Sequence, residues 1–186
     1  SGIVPEGALQ LDCGKGIGIL DDLTSQDMVT FTGSASTGQM LKNLPVITKN
    51  AIPFNMEADS LNAAVLGEDA APGTEDFNLF IKEARREITV KAGQKCTAIR
   101  RLIVPEKYLE DVQIALSQNL QKTPIGNPAN KNVRMGAIVS KSQLADVKAQ
   151  VKLLSKESEI VCGSLDSVDV IDADTEKGAF LSPILL

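Results

Sequence analysis

Cys96, Glu57 and the run Phe31-Thr32-Gly33-Ser34, with Gly38 four residues past the serine, are the residues equipped for chemistry. A thiolate attacks electrophilic carbon, and a carboxylate can take a proton from water. A glycine–serine turn between a strand and a helix offers backbone N–H groups to a phosphate, with the helix dipole favouring the anion. Gly38, one turn further on, lets the helix run close to its neighbour or to a ligand. There is no histidine, so Cys–His, Ser–His–Asp and histidine–metal chemistry cannot be assembled from this chain. Any proton acceptor must be a carboxylate, a lysine, a tyrosine or water. Each feature also has a plainer reading. A lone cysteine commonly packs as a small hydrophobe, Ser34 is a good helix N-cap, and Glu57 or Asp59 could be solvated residues of a bend. Cys13 and Cys162 lie in apolar runs and read as buried.

The elements that must position these groups follow from periodicity. Ala8–Cys13 reads as a buried strand, and Gly14-Lys15-Gly16-Ile17-Gly18 as a flexible turn into a weak helix over 19–23. The three glycines match neither Gly-x-Gly-x-x-Gly nor a P-loop, and Lys15 reads as solvated. Met28–Thr32 is a β-branched and aromatic strand stopping at Gly33-Ser34; strand, turn and helix in this order are the grammar of a parallel α/β sheet. Ile47–Ile52 reads as another strand and residues 53–60 as a polar bend. Phe77, Phe80, Ile81, Ala84 and Ile88 form the buried stripe of a helix opened by Pro72-Gly73-Thr74 and ended by Gly93. Cys96 then falls on a loop before a strand over 98–104. Pro105 is expected at the start of a helix with Tyr108, Leu109, Val112 and Leu116 inward. Residues 123–132 are a proline- and asparagine-rich loop. Ser140 with Gln143 is a capping box for a helix burying Leu144, Val147, Val151 and Leu154. Residues 160–162 and 168–171 are strand-like. Arg85-Arg86 and Arg100-Arg101 read as salt-bridged or solvated rather than as anion sites.

Composition narrows the classes. With 19 basic and 24 acidic residues and no long run of either sign, the basic stripe expected of a nucleic-acid surface is missing. No stretch approaches the ~20 apolar residues of a membrane span. Three widely spaced cysteines suggest neither a disulfide framework nor a metal site, and fit a reducing, cytoplasmic compartment. No metal is expected.

Taken together, Phe31-Thr32-Gly33-Ser34-x-x-x-Gly38, Glu57 and Gly93-Gln94-Lys95-Cys96 resemble the aldehyde dehydrogenase superfamily. That resemblance implies an α/β fold: the last part of a Rossmann-type cofactor domain in residues 1–60, then an α/β catalytic domain in 61–186. It implies that Phe31, Thr32, Gly33, Ser34 and Gly38 contact NADP or NAD, that Cys96 attacks the aldehyde carbonyl, and that Glu57 activates water. The superfamily's Glu-Leu-Gly-Gly is here Glu57-Ala58-Asp59-Ser60. This departure, with Val90–Arg101 and the N-terminal Val4–Gln10, resembles the aldehyde dehydrogenase domain of the bifunctional PaaZ-type proteins of phenylacetate catabolism. By that resemblance the substrate is a ring-opened CoA semialdehyde, the cofactor NADP, and the parent protein a homo-oligomeric, bifunctional enzyme without nucleic-acid or membrane partners.

Both ends read as cut, and the superfamily's first βαβ unit, oxyanion asparagine and later Glu-x-Phe-Gly-Pro segment are absent from these 186 residues. The isolated polypeptide is therefore expected to be inactive, a folded scaffold at most. The other alternative is a CoA-acylating relative, in which a thiol replaces water and Glu57 is dispensable.

Overall fold

A computed structural model describes residues 2–14 and 17–186, so the turn expected at Lys15 and Gly16 lies outside the described residues. The chain packs as two units, Ser1–Asp59 and Ser60–Leu186.

In the first unit, Val29–Gly33 (β1) pairs in parallel with Phe54–Ala58 (β2). A parallel pair needs a crossover, and two helices supply it: Ala35–Lys42 (α1) and Pro45–Lys49 (α2). Two expectations are corrected here. The stretch 47–52 is not a strand, because Pro45 occupies the first turn of α2, where its fixed φ and missing N–H suit a helix start. Ile47 is buried by that helix in spite of its β-branched neighbours. Residues 53–60 are not a bend, because β1 takes its hydrogen-bonding partner there, beginning with Val29 N–H on the Pro53 carbonyl at 3.0 Å. Asn55 and Glu57 project outward, so their polarity is compatible with a strand.

The run Ala8–Cys13 is neither a strand nor buried: Leu9 and Leu11 are 83% and 90% exposed. A strand needs a neighbour for its N–H and C=O groups, and among the described residues none pairs with this run. Cys13 is accordingly exposed, contrary to its reading as a buried hydrophobe. Ile17–Asp22 forms a short 3₁₀ turn.

In the second unit, Asn62–Val65 (β3) pairs in parallel with Ile99–Ile103 (β4), and the crossover carries Glu75–Thr89 (α3). Thr74 caps α3 through its side chain, and Phe77, Ile81 and Ala84 are buried as the spacing predicted. They meet Val112, Leu116 and Leu120 of Leu109–Gln121 (α4), with Leu66, Ala70 and Cys162, in one apolar cluster. The buried row on α4 begins at Val112. Pro105 leads into a 3₁₀ turn, Glu106–Tyr108, before the helix proper, which leaves Leu109 46% exposed. Ser140 caps Lys141–Leu154 (α5), accepting from the Gln143 N–H at 3.1 Å. Val151 of α5 is buried but Leu154 is 56% exposed. The strand-like runs near the C-terminus reduce to single bridges, Cys162 with Leu185 and Gly126 with Ile171.

Candidate active site

The first unit gathers Phe31, Thr32, Gly33, Ser34, Gly38 and Glu57 around one strand–turn–helix. In the β1–β2 register Phe31 stands beside Met56 and Thr32 beside Glu57, so each pair shares a face of the sheet. Phe31 and Met56 face α1, which comes close enough there that a Cβ on Gly38 would fall 2.4 Å from Met56 Sδ. Thr32 and Glu57 therefore project from the opposite face, and both are exposed. Glu57 is thus a strand residue open to solvent in this unit, not a residue of a bend.

Ser34 is the N-cap of α1. Its Oγ accepts from the Thr37 N–H at 3.2 Å and donates to Thr37 Oγ1 at 2.8 Å. The plain capping role and the anion-binding role coincide, since an N-cap serine and an anion both answer the free amides of a helix start. One of those amides is already engaged: Ala35 N–H donates to Asp59 Oδ1 at 3.1 Å. Asp59 reaches it because its backbone turns left-handed (φ 54°) at the end of β2 and its N–H donates to the Gly33 carbonyl. A carboxylate seated at the start of α1 shows that the Ala35 N–H there can donate to an anionic oxygen.

In the second unit Cys96 occupies a tight turn between α3 and β4. After Thr89 the backbone passes through three consecutive positive φ values, 52° at Lys91, 52° at Ala92 and 70° at Gly93. The helix expected to run to Gly93 therefore stops four residues earlier. Lys95 to Ala98 is a β-turn closed by Ala98 N–H on the Lys95 carbonyl at 3.1 Å, with Cys96 and Thr97 at its corners. Side chains hold the turn from several directions. Lys95 Nζ pairs with Glu87 Oε1 of α3 at 2.6 Å, both largely shielded. Arg100 donates to the Gly93 carbonyl at 2.8 Å. Gln94 donates to the Lys91 carbonyl and accepts from the Val139 N–H at 2.8 Å. Asn62 Nδ2 donates to the carbonyls of Cys96 and Ala98, at 2.6 and 3.2 Å. Cys96 itself is exposed, as a reacting thiol must be.

Cys162 behaves as the sequence suggested, but the arginines do so only in part: among the described residues Arg85 is neither salt-bridged nor fully solvated, its Nε being buried without a hydrogen-bond partner. Cys162 is buried, and burial pushes its thiol pKa up despite contacts from Ser117 and Gly163. Arg86 pairs with Glu83 at 3.2 Å, while Arg100 and Arg101 donate to backbone carbonyls. Asn62 and the capping role of Asp59 escaped the sequence reading. Their partners lie 34 and 24 residues away, beyond any local pattern. No cluster of three or more potential metal ligands occurs among the described residues, and no described helix is long and apolar enough to cross a membrane.

The profile of the aldehyde dehydrogenase family matches residues 2–186. This chain belongs to the aldehyde dehydrogenase family. A 3,4-dehydroadipyl-CoA semialdehyde dehydrogenase from Aromatoleum evansii is 42% identical over 186 residues, all of this chain and 36% of that protein. A probable betaine aldehyde dehydrogenase of Schizosaccharomyces pombe is 29% identical, over 97% of this chain and 34% of its own length. The chain thus spans about a third of the curated relatives it matches. Among solved structures, the betaine aldehyde dehydrogenase of Staphylococcus aureus in complex with NAD+ superposes with TM-score 0.73 at 24% identity, over 85% of this chain and 30% of that one. A mutant of aldehyde dehydrogenase C from Pseudomonas syringae, in complex with NAD+ and octanal, gives TM-score 0.72 at 21% identity over the same shares. The fold is accordingly part of the α/β fold of aldehyde dehydrogenases, as the motif order implied.

Proposed function

We propose that the parent protein oxidises an aldehyde to the acid through a thioester on Cys96, with NADP or NAD as hydride acceptor. Residues 1–60 contribute to the cofactor domain and 61–186 to the catalytic domain. The observation that carries this reading is an exposed thiol on a turn held by Lys95, Gln94, Arg100 and Asn62, in a chain of this family. A nucleophile needs both access and fixed direction, and this turn supplies both.

The chemistry divides among the chain's own residues. Cys96, having given its thiol proton to solvent, would add as thiolate to the carbonyl carbon, and loss of the aldehyde hydrogen as hydride would leave the thioester. The dinucleotide, when bound, supplies the acceptor for that hydride. Glu57 takes a proton from water, whose oxygen attacks the thioester carbon and releases the acid and the thiol. The strand–helix turn at Gly33 and Ser34 fits a dinucleotide phosphate, because the Ala35 N–H that opens α1 already donates to a carboxylate, that of Asp59. Phe31 and Gly38 shape the strand–helix contact beneath them.

The 42% identity to a CoA semialdehyde dehydrogenase, with the resemblance of Glu57-Ala58-Asp59-Ser60 to the PaaZ-type proteins, favours a ring-opened CoA semialdehyde as substrate, within a bifunctional, cytoplasmic, homo-oligomeric enzyme of phenylacetate catabolism. In the full-length protein, Cys96→Ala and Glu57→Gln should each lower NADPH production with an aldehyde substrate by orders of magnitude. Wild-type turnover in either variant would remove that residue from the mechanism. Acyl-CoA rather than free acid as product would assign the CoA-acylating reaction instead.

A further inference from the structure

We propose that Asn62 is a positioning residue for Cys96, its amide nitrogen fixing the thiol-bearing turn through the Cys96 and Ala98 carbonyl oxygens. Both partners are acceptors only, so the side-chain nitrogen, not its oxygen, must face them. The two bonds, at 2.6 and 3.2 Å, hold the Cys96–Thr97 and Ala98–Ile99 peptide planes, one at the turn's corner and one at its exit. With the turn's own Ala98 N–H to Lys95 carbonyl bond, they leave the backbone at Cys96 little freedom. The direction of Cβ–Sγ follows from that backbone.

The neighbouring sheet is built around this contact. The β3–β4 register is regular from Ala63–Arg101 to Val65–Ile103 but slips at its start, where Asn62 pairs with Ile99 and Arg100 is skipped. Such a bulge re-aims the side chains beside it. Here it sends Arg100 back to the Gly93 carbonyl and sets Asn62 against the turn. Asn62 is the first residue of β3, so a rigid strand carries the donor to a loop that other side chains hold only at its entrance.

The proposal rests on Cys96 being the nucleophile, and its test separates the two ideas. Asn62→Ala, Asn62→Asp and Cys96→Ala are made in the full-length protein. Aspartate keeps the shape but sets a carboxylate oxygen against two carbonyls, so it should be at least as damaging as alanine. The expected result is a fall in kcat of roughly 10- to 100-fold in Asn62→Ala, as for a reacting group misplaced by a fraction of an ångström to an ångström. KM for the aldehyde should stay within about threefold, since an interaction that only orients the nucleophile adds no ground-state binding. Hydrogen exchange at the Ala98 amide should quicken about tenfold while α4 stays protected, as a local opening requires.

Unchanged exchange at Ala98 and unchanged kcat would overturn the proposal. So would iodoacetamide labelling of Cys162 in Asn62→Ala, which would mean that Asn62 holds the whole unit together and not the turn. If Cys96→Ala proved active, the nucleophile assignment would fall, and with it the positioning role, even with faster exchange at Ala98.

Discussion

The Asp59 carboxylate accepts the Ala35 N–H at 3.1 Å, placing a negative charge at the start of the helix that also carries Ser34 and Gly38. The family's usual glycine at this point has no side chain to do so. An internal anion there stabilises the helix by about 0.3–1 kcal/mol at an exposed position, and it must yield or be repelled when a phosphate approaches. Asp59→Asn, which keeps an acceptor oxygen and removes the charge, should therefore tighten dinucleotide binding by the full-length protein about two- to fivefold, the equivalent of that energy. Calorimetric titration measures it. Weaker binding in Asp59→Asn would instead mean that the charge is needed to keep the turn in its binding shape.

Gly93 is the third of three successive left-handed residues before the Cys96 turn. A side chain there costs about 1–2 kcal/mol from φ alone. Its Cβ would also press on Arg100 at 3.2 Å and the Ile88 carbonyl at 3.3 Å. Gly93→Ala should lower the unfolding free energy by about 1–3 kcal/mol and disturb the Arg100 contact that closes the turn. Denaturant melts followed by circular dichroism would show it; a change under half a kilocalorie would contradict the strain argument.

Much of this arrangement was legible before any coordinates, for identifiable reasons. β1, the Ser34 cap and the α3 stripe are set by local rules, namely a strand ending at Gly33, a hydroxyl before the first turn, and apolar residues three and four apart. Cys162 is buried as its apolar run suggested, although the same reading fails at Cys13, which is exposed. The failures share a different cause. Ala8–Cys13 has the composition of a strand, but among the described residues nothing pairs with it; β2 alternates Phe54, Met56 and Ala58 with Asn55 and Glu57, and it is pairing with β1 that makes this short run a strand. β3 is four residues long and half alanine, so nothing local marks it. Asn62 and Asp59 matter only through contacts across dozens of residues, and no periodicity announces such a contact.

Cys162 offers a pH test whose sign is fixed by burial. Its thiol pKa is raised, mainly by desolvation, so the folded protein keeps the proton longer than the unfolded chain does. The stabilisation is complete below the unfolded thiol's pKa of about 8.5 and fades as pH rises through the folded value. Stability should therefore decline above about pH 8.5 in the wild type and less steeply in Cys162→Ala. At pH 8, iodoacetamide should label Cys13 and Cys96, both exposed, well before Cys162. Equal rates at all three would refute the buried assignment.

Leu116 is fully buried where α3 and α4 meet. Truncation to alanine removes three heavy atoms from a site ringed by Phe77, Ile81 and Ala84, and should cost about 2–5 kcal/mol. Leu109→Ala, on the same helix but 46% exposed, should stay near the helix-propensity scale, within about 0.5 kcal/mol. Comparing the two by urea denaturation places the inward face of α4.

Gly38 sets two opposing effects against each other. Replacing a mid-helix glycine by alanine gains about 1 kcal/mol of helix propensity. The added Cβ, however, would lie 2.4 Å from Met56 Sδ and 3.1 Å from Phe31 Cε1. Met56 is 37% exposed and its thioether can swing outward, so Gly38→Ala should come out within about 1 kcal/mol of neutral. Valine adds two branched methyls that reach the Phe31 ring, which stands on a strand and cannot retreat. Gly38→Val should cost about 1–3 kcal/mol by overpacking. In the full-length protein it should also weaken dinucleotide binding, because α1 can admit valine only by lifting from β1 and taking the Ser34 turn with it. A Gly38→Val protein with wild-type stability and cofactor affinity would mean that α1 does not need this close approach to the sheet.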